Sequence, residues 1–427
     1  MTRETTDVKV GLAPTRALLD NGLTVIAKET RKTPAVTIHI GISAGSICDP
    51  VDDPGTAHLL SRVIDRGTAT RSAEDIATAL DDRGVSLTTG VTRHLFSLAC
   101  TCLAGDFEGM MALLADVVRA PRVPEKELET RRGEAITGIR QDEDNPAARA
   151  GESLMALLYG AEHPYGRRIR GTVTVLERLG RDALLRLHAE RFVPAGTSVV
   201  VVGDVGTSRA VEAADAAFGT WRPVSPLPFV PPPARHAGER RMVVVPMMNK
   251  AQAEIAYGFT TIARADAEHD ALWLMNNVLG EYALGGRLGD SIRERQGMAY
   301  HVSSSFEPSV VAGPLVIRAG VSAANVDRAI RSVDEEVAAV AQGGITAKEL
   351  AESRQYLIGS MPRALETNDG IAQFLQTVQF FGLGLDFDVR LPGLLAAVTL
   401  DEVHAVARRY LNPDRASIVV AGPYTPR

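Results

Sequence analysis

Two hydrophobic rhythms organise the chain. In Ala35-Val36-Thr37-Ile38-His39-Ile40-Gly41-Ile42 apolar residues alternate with period two, which predicts a strand. Leu23-Thr24-Val25-Ile26-Ala27 precedes it behind the turn signal Asp20-Asn21-Gly22, so residues 17–47 read as a hairpin. Between Asp53 and Gly67 the period lengthens to that of a helix. Asp53 suits the N-cap, Pro54 the first helical position and Gly67 the residue past the end. Ala57, Leu59, Leu60, Val63 and Ile64 cover most of this helix with apolar surface, leaving His58, Ser61, Arg62 and Asp65 on one narrow stripe at i, i+3, i+4, i+7. A buried helix with one polar stripe turns it toward a cavity, cleft or interface, or leaves it solvated with an Arg62–Asp65 pair. The pattern alone does not choose.

Further on, Ser72-Ala73-Glu74-Asp75 opens a helix to Asp82, stopped by Gly84, and strands follow over 85–91 and 94–103. Helices are predicted from Phe107 to Val118, from Val123 to about 141, over 147–159 and over 181–192, then a strand, Ser198–Gly203. The second half repeats the mixture: strands 241–245 and 251–259, a helix 266–279, a glycine-bearing loop Gly280–Gly286, a helix 287–295 closed by Gly297, and a strand 299–306. Helices over 322–341 and 346–364, a largely helical stretch 370–410 and a strand 417–422 complete it. Both halves end on helix, proline turn, β-branched strand and glycine: Phe192-Val193-Pro194 leads to Val199–Gly203, and Asn412-Pro413 to Ser417–Gly422, 219 residues on from Pro194 to Pro413. Pro223, Pro226, Pro228, Pro231, Pro232 and Pro233 mark a linker between them. The domain expectation is therefore 1–222, a linker over 223–238, and 239–427.

Composition narrows the function. With 427 residues, 45% hydrophobic and 23% charged, this is a globular protein of two-domain size. A net charge of −6 argues against nucleic acid or an anionic membrane surface as main partner, and no run reaches the ~18 apolar residues of a membrane span. The first residues lack a signal-peptide pattern, and three cysteines (Cys48, Cys100, Cys102) cannot build a disulfide framework, so a cytoplasmic location is expected. Cys100 and Cys102 share a strand face but lack a third ligand for a metal.

Gly55-Thr56-Ala57-His58-Leu59-Leu60-Ser61-Arg62-Val63-Ile64-Asp65-Arg66-Gly67-Thr68 resembles the zinc-site helix of the pitrilysin-type peptidases, whose signature is H-x-x-E-H. The likeness extends through Leu19-Asp20-Asn21-Gly22-Leu23, His163-Pro164-Tyr165-Gly166 with Gly171-Thr172, Val200-Val201-Val202-Gly203-Asp204, Asn277-Val278-Leu279-Gly280, Ile292-Arg293-Glu294-Arg295-Gln296-Gly297-Met298-Ala299-Tyr300 and Thr346-Ala347-Lys348-Glu349-Leu350. It implies an α+β fold: two homologous domains, each a mixed sheet with helices packed on one face, joined by the Pro-rich linker as half of a clamshell. His58 matches the first zinc ligand. Ser61 replaces the general base, Arg62 the second histidine, and Gly138, with Thr137 beside it, the glutamate ligand expected before Asp144-Asn145-Pro146. Arg62 would also repel a cation at that site.

In the heterodimeric branch resembling the mitochondrial processing peptidase, one subunit holds zinc and its partner supplies an arginine and a tyrosine seven residues apart to the substrate. Arg293 and Tyr300 match that pair. The resemblance thus implies the zinc-less subunit of a two-chain metalloendopeptidase, with no metal or cofactor of its own. Its partner would be a homologous chain with an intact H-x-x-E-H motif and zinc, and its substrate an extended peptide. Arg293 and Tyr300 would serve as donors to the oxygen that becomes negative in the tetrahedral intermediate. Gly280–Gly286 stands where related subunits carry a glycine-rich substrate loop. The competing expectation is a scaffold of the same fold with no part in catalysis.

Overall fold

The computed structural model describes residues 11–224, 231–234, 236–281 and 286–426. Pro226 and Pro228 of the expected linker and residues 282–285 of the expected loop lie outside them. The chain forms two compact units, and neither follows one half of the sequence. One takes Met1–Ile136, Ile169–Phe229 and Met361–Pro392; the other takes Thr137–Arg168, Val230–Ser360 and Gly393–Arg427.

The first half supplies β1 (Thr15–Leu18), β2 (Thr24–Glu29), β3 (Ala35–Ile42), α1 (Thr56–Val63), α2 (Ala73–Asp81), β4 (Thr88–Val91), β5 (Phe96–Leu103) and α3 (Phe107–Arg119). It continues through α4 (Glu125–Glu143), α5 (Pro146–Tyr159), α6 (Val173–Arg178), α7 (Arg181–Arg191), β6 (Thr197–Gly203) and α8 (Thr207–Phe218). Its six strands run β1-β2-β6-β3-β5-β4, antiparallel except for the parallel pair β2–β6. Central β6 is buried along its whole length, as its unbroken Val199–Val202 run requires.

The second half supplies β7 (Arg241–Pro246), β8 (Ala253–Thr260), α9 (His269–Asn276), two π-helical turns (Asn277–Glu281 and Gly289–Arg295), β9 (Ala299–Phe306) and β10 (Pro314–Val321). Then come α10 (Val326–Ala341), α11 (Ala347–Ala364), α12 (Asn368–Phe381), α13 (Phe387–Ala397), α14 (Leu400–Tyr410) and β11 (Ser417–Gly422). Five strands run β7-β11-β8-β10-β9, again antiparallel except for the parallel pair β7–β11.

Replacing β2, β3, β4, β5 and β6 by β7, β8, β9, β10 and β11 reproduces the order and every direction of the first sheet, so the two domains are homologous folds. Gly203 and Gly422, which close β6 and β11, share a positive φ (149° and 141°). A side chain would be blocked at both: a Cβ on Gly203 would lie 2.2 Å from the carbonyl oxygen of Ala35, and one on Gly422 would lie 2.6 Å from the Cα of Ala253.

Each half also lends a helix to the other's sheet. From the second half, α12 packs Ile371, Ala372 and Leu375 on Ile26, Val200 and Val202. From the first, α5 packs Ala150, Leu154 and Leu158 on Ala256, Val316, Val419 and Ala421. Gly41 admits the Gln376 side chain, and Gly258 admits Leu154.

Candidate functional site

The N-terminus of α1 is made differently from the expectation. Asp53 does not cap it. Gly55, at φ 99°, is the N-cap, and the buried Asp49 carboxylate accepts from the backbone N–H groups of Gly55 (2.7 Å) and Ala57 (2.8 Å). Asp53 pairs with Arg178 at 2.8 Å. A carboxylate six residues upstream, brought back by a turn in which the Asp53 N–H donates to the Pro50 carbonyl (3.1 Å), outcompetes the local cap because it satisfies two N–H groups at once.

Along the stripe, the Ser61 hydroxyl donates to the His58 carbonyl (2.7 Å) and is buried, so its hydrogen bond is internal to the helix. Arg62 reaches Glu134 of α4 at 3.4 Å, and Arg131 grips the same carboxylate at 2.7 and 2.9 Å. Asp65 pairs with Arg66 at 3.2 Å. Burial, with Arg170 and Arg62 nearby, lowers the His58 pKa to about 4, so the ring is neutral. The Arg131 hydrogen bond holds Glu134 below the usual carboxylate range, while burial raises Asp65. Gly138 is a half-buried position within α4.

This donor set does not fit zinc. A single imidazole stands among guanidinium groups, and the nearby carboxylates already answer arginines. Among the described residues no group of three or more His, Cys, Asp or Glu side chains converges on a common point. Cys100 and Cys102 are buried on one face of β5, and burial raises both thiols, to about 12 and about 11.

Around Arg293 and Tyr300 the backbone departs from regularity four times. The π-helical turn Asn277–Glu281 takes the end of the expected helix 266–279 and the start of the expected loop, and the π-helical turn Gly289–Arg295 takes most of the expected helix 287–295. Gly297 (φ 60°) makes the predicted reversal, with the Gly297 N–H donating to the Arg293 carbonyl at 3.0 Å. Then β9 bulges: Val321 faces Ala299 and Gly320 faces His301, so Tyr300 is the extra residue. Such irregularities concentrate at functional positions because they aim side chains that a regular ladder would not.

The consequence is visible in exposure. Tyr300 is 79% exposed, and its phenol has no hydrogen-bond partner among the described residues. Arg293 is exposed, and among the described residues its ion-pair contact is to the neighbouring Glu294 at 3.5 Å. Tyr300 lies on β9, which among the described residues is an edge strand paired with β10. The fully buried Asn277 has both amide atoms without a hydrogen-bond partner among the described residues. The sequence contains no rule that would have announced the bulge or the π turns.

The other motifs resolve into architecture. His163 bonds the Pro232 carbonyl (2.9 Å) and the Tyr165 N–H (3.0 Å), and Tyr165 bonds Ser309 (2.8 Å), so His163-Pro164-Tyr165-Gly166 ties down the chain near the linker. Glu349 of Thr346-Ala347-Lys348-Glu349-Leu350 pairs with Arg287 at 2.7 Å and caps α11 through Thr346; it is held down to about 2 despite its burial by those bonds. No helix of the described residues is long and apolar enough to cross a membrane.

The duplicated α+β architecture has counterparts among known proteins. Residues 24–173 match the family model described as insulinase (peptidase family M16), and residues 178–357 match the one described as peptidase M16 inactive domain. The chain belongs to peptidase family M16. It is 27% identical over 99% of its length, and 96% of the relative's, to an uncharacterized zinc protease of Mycobacterium tuberculosis, and 25% identical over 95% of its length, and 98% of the relative's, to the uncharacterized zinc protease YmxG of Bacillus subtilis. A crystal structure of a peptidase M16 inactive domain from Pseudomonas fluorescens resembles it with a TM-score of 0.90, at 25% identity, covering 97% of this chain and 99% of that one. A protease from Helicobacter pylori shares the fold (TM-score 0.87, 16% identity, covering 96% and 99%).

Proposed function

We propose that this chain is the non-zinc-binding subunit of a heterodimeric M16 endopeptidase, contributing Arg293 and Tyr300 to a peptide whose bond is cut by a zinc-bearing partner with an intact H-x-x-E-H helix. The observation that carries the reading is an asymmetry. At His58 the second ligand position is occupied by Arg62, tied into the Arg62–Glu134–Arg131 network, whereas Arg293 and Tyr300 are exposed on irregular backbone, Arg293 with a 3.5 Å contact to the adjacent Glu294 and Tyr300 with no hydrogen-bond partner among the described residues. A guanidinium and a phenol are both donors, suited to the carbonyl oxygen that gains charge as the peptide bond is attacked.

Metal analysis of the purified chain tests the first half: less than about one tenth of an equivalent of zinc is expected, and stoichiometric zinc overturns the reading. Co-expression with a homologue bearing the complete motif tests the second. Arg293→Ala or Tyr300→Phe then lowers kcat about 10²-fold, the typical effect of losing one transition-state donor, with the complex intact by gel filtration. Unchanged rates in both variants leave the chain as a scaffold of the same fold.

A further inference from the structure

Beside the Tyr300 bulge, the sheet holds a second group of polar residues that the Arg293–Tyr300 pair does not use. On β8, Glu254 is almost wholly buried, its side chain 9% exposed, yet it accepts from His301 Nε2 of β9 at 3.0 Å although β10 runs between the two strands. The intervening residue is Gly320. A Cβ there would lie 2.6 Å from the His301 ring and 3.2 Å from the Glu254 carboxylate, so the missing side chain is what lets the two meet. The buried carboxylate fixes the orientation of an imidazole whose side chain is 48% exposed.

Two residues along, Ser303 faces Arg318 across the same pair of strands. Successive residues alternate between faces and directly opposed residues share one, so His301, Ser303, Gly320 and Arg318 lie on the same face. Arg318 is the single exposed residue of an otherwise buried strand. No ion pair or hydrogen bond to a described residue engages its guanidinium, which extends beside Gly151 of α5. In the first sheet, by contrast, Thr37 and Thr101 bond each other at 2.8 Å in the row that Glu254 and Gly320 occupy in the second. The polar set is therefore peculiar to the second domain.

We propose that Arg318, with Ser303 and the Glu254-oriented His301, forms a subsite that binds an acidic side chain of the peptide, making this subunit a determinant of substrate selectivity as well as a donor of Arg293 and Tyr300. The inference rests on the peptide-binding reading above. A free guanidinium with a hydroxyl opposite it matches a carboxylate in charge and geometry. The site lies on β9, the strand that presents Tyr300, so a peptide extended along that edge passes both.

The test uses the full chain without any partner and reads binding alone. Labelled decapeptides of Gly, Ser, Thr and Val, with one Glu moved along the series and matched Gln and Lys versions, are titrated with the protein by fluorescence anisotropy. At one or more positions the Glu peptide should bind about tenfold more tightly than its Gln match, and the gap should narrow as salt rises. Arg318→Gln should bring Glu and Gln peptides within about twofold, and Arg318→Glu should turn the preference to Lys, which a merely structural arginine would not do. Equal affinities in the native chain, an unchanged Glu/Gln ratio in Arg318→Gln, or no measurable binding of any peptide would each overturn the proposal. Failure here with a persisting Arg293 and Tyr300 effect on cleavage defeats the subsite alone; the reverse result defeats the heterodimer reading alone.

Discussion

The fate of His58 shows how one imidazole changes meaning when its neighbours change. Burial and the two cations Arg170 and Arg62 make the protonated ring costly, hence the pKa of about 4 against an ordinary 6.5. Between those values the unfolded chain binds a proton at this position and the folded chain does not, so stability rises with pH through that window and falls as acid is added. His94 is lowered to about 4 by the same two causes, burial and a neighbouring arginine, Arg93. We expect the His58 ring signals in NMR to stay those of neutral imidazole at pH 5.5, where a solvated histidine is mostly charged. His58→Gln should flatten the pH dependence of the urea midpoint over the same range; an unchanged slope would refute the assignment. The Arg62–Glu134–Arg131 network beside it is a weaker element. Arg62 and Glu134 are both roughly half exposed, so water screens their attraction, and Arg62→Ala should alter unfolding stability by less than about 1 kcal/mol.

At the scale of elements, the duplication makes a paired prediction. Gly203 and Gly422 end equivalent strands with φ near +145°, a region closed to side chains, and each sits against backbone at the start of its antiparallel neighbour, β3 for Gly203 and β8 for Gly422. Gly203→Ala and Gly422→Ala should each destabilise by about 2 kcal/mol or more in chemical denaturation, by similar amounts in both. Tolerance of one and not the other would mean that the repeat is topological only. The same strands explain what the sequence made legible. Val199–Val202 and Ile418–Val420 announce buried strands, Asp20-Asn21-Gly22 announces the first hairpin, and the helix–proline–strand ending announces the repeat, because all are local patterns of burial and turn chemistry. The strand Pro314–Val321 carried its signal too, an apolar run opened by proline, but Arg318 at its centre interrupts the alternation. The Asp49 cap, the π-helical turns and the extra residue at Tyr300 were illegible: the cap is made by a carboxylate six residues before the N-cap Gly55 rather than by the adjacent candidate Asp53, and neither the turns nor the bulge follows a local residue pattern. Candidate chemistry divides likewise. The helix stripe and the Arg293–Tyr300 spacing can be read along the chain, whereas Glu254 meets His301 only because Gly320 stands between them in space.

For the molecule as a whole, the consequential feature is that neither half of the chain completes its own core. Ile26, Val200 and Val202 of the first sheet are covered by Ile371, Ala372 and Leu375, more than 160 residues beyond β6. Ala256, Val316, Val419 and Ala421 of the second are covered by Ala150, Leu154 and Leu158. A buried aliphatic side chain contributes about 1.5–3 kcal/mol, so uncovering three on one sheet and orphaning their partners removes an amount comparable with the 5–15 kcal/mol that holds a typical domain together. Polar groups on the helix raise the cost: Gln376 donates to Ser198 at 2.7 Å over Gly41, and Asn368 donates to the Ala35 carbonyl at 3.1 Å. Fragments cut at the proline-rich segment, residues 1–222 and 239–427, should therefore each fail to unfold cooperatively, bind a hydrophobic dye and sediment as aggregates. Mixed during refolding, they should recover a single cooperative transition as α12 and α5 regain their sheets. Independent two-state unfolding of the isolated first fragment would show that α12 is dispensable. Leu375→Ala in the full chain then separates packing from connectivity: it keeps every covalent link, yet it should lower stability by about 2–5 kcal/mol through the cavity it opens against Val200 and Val202.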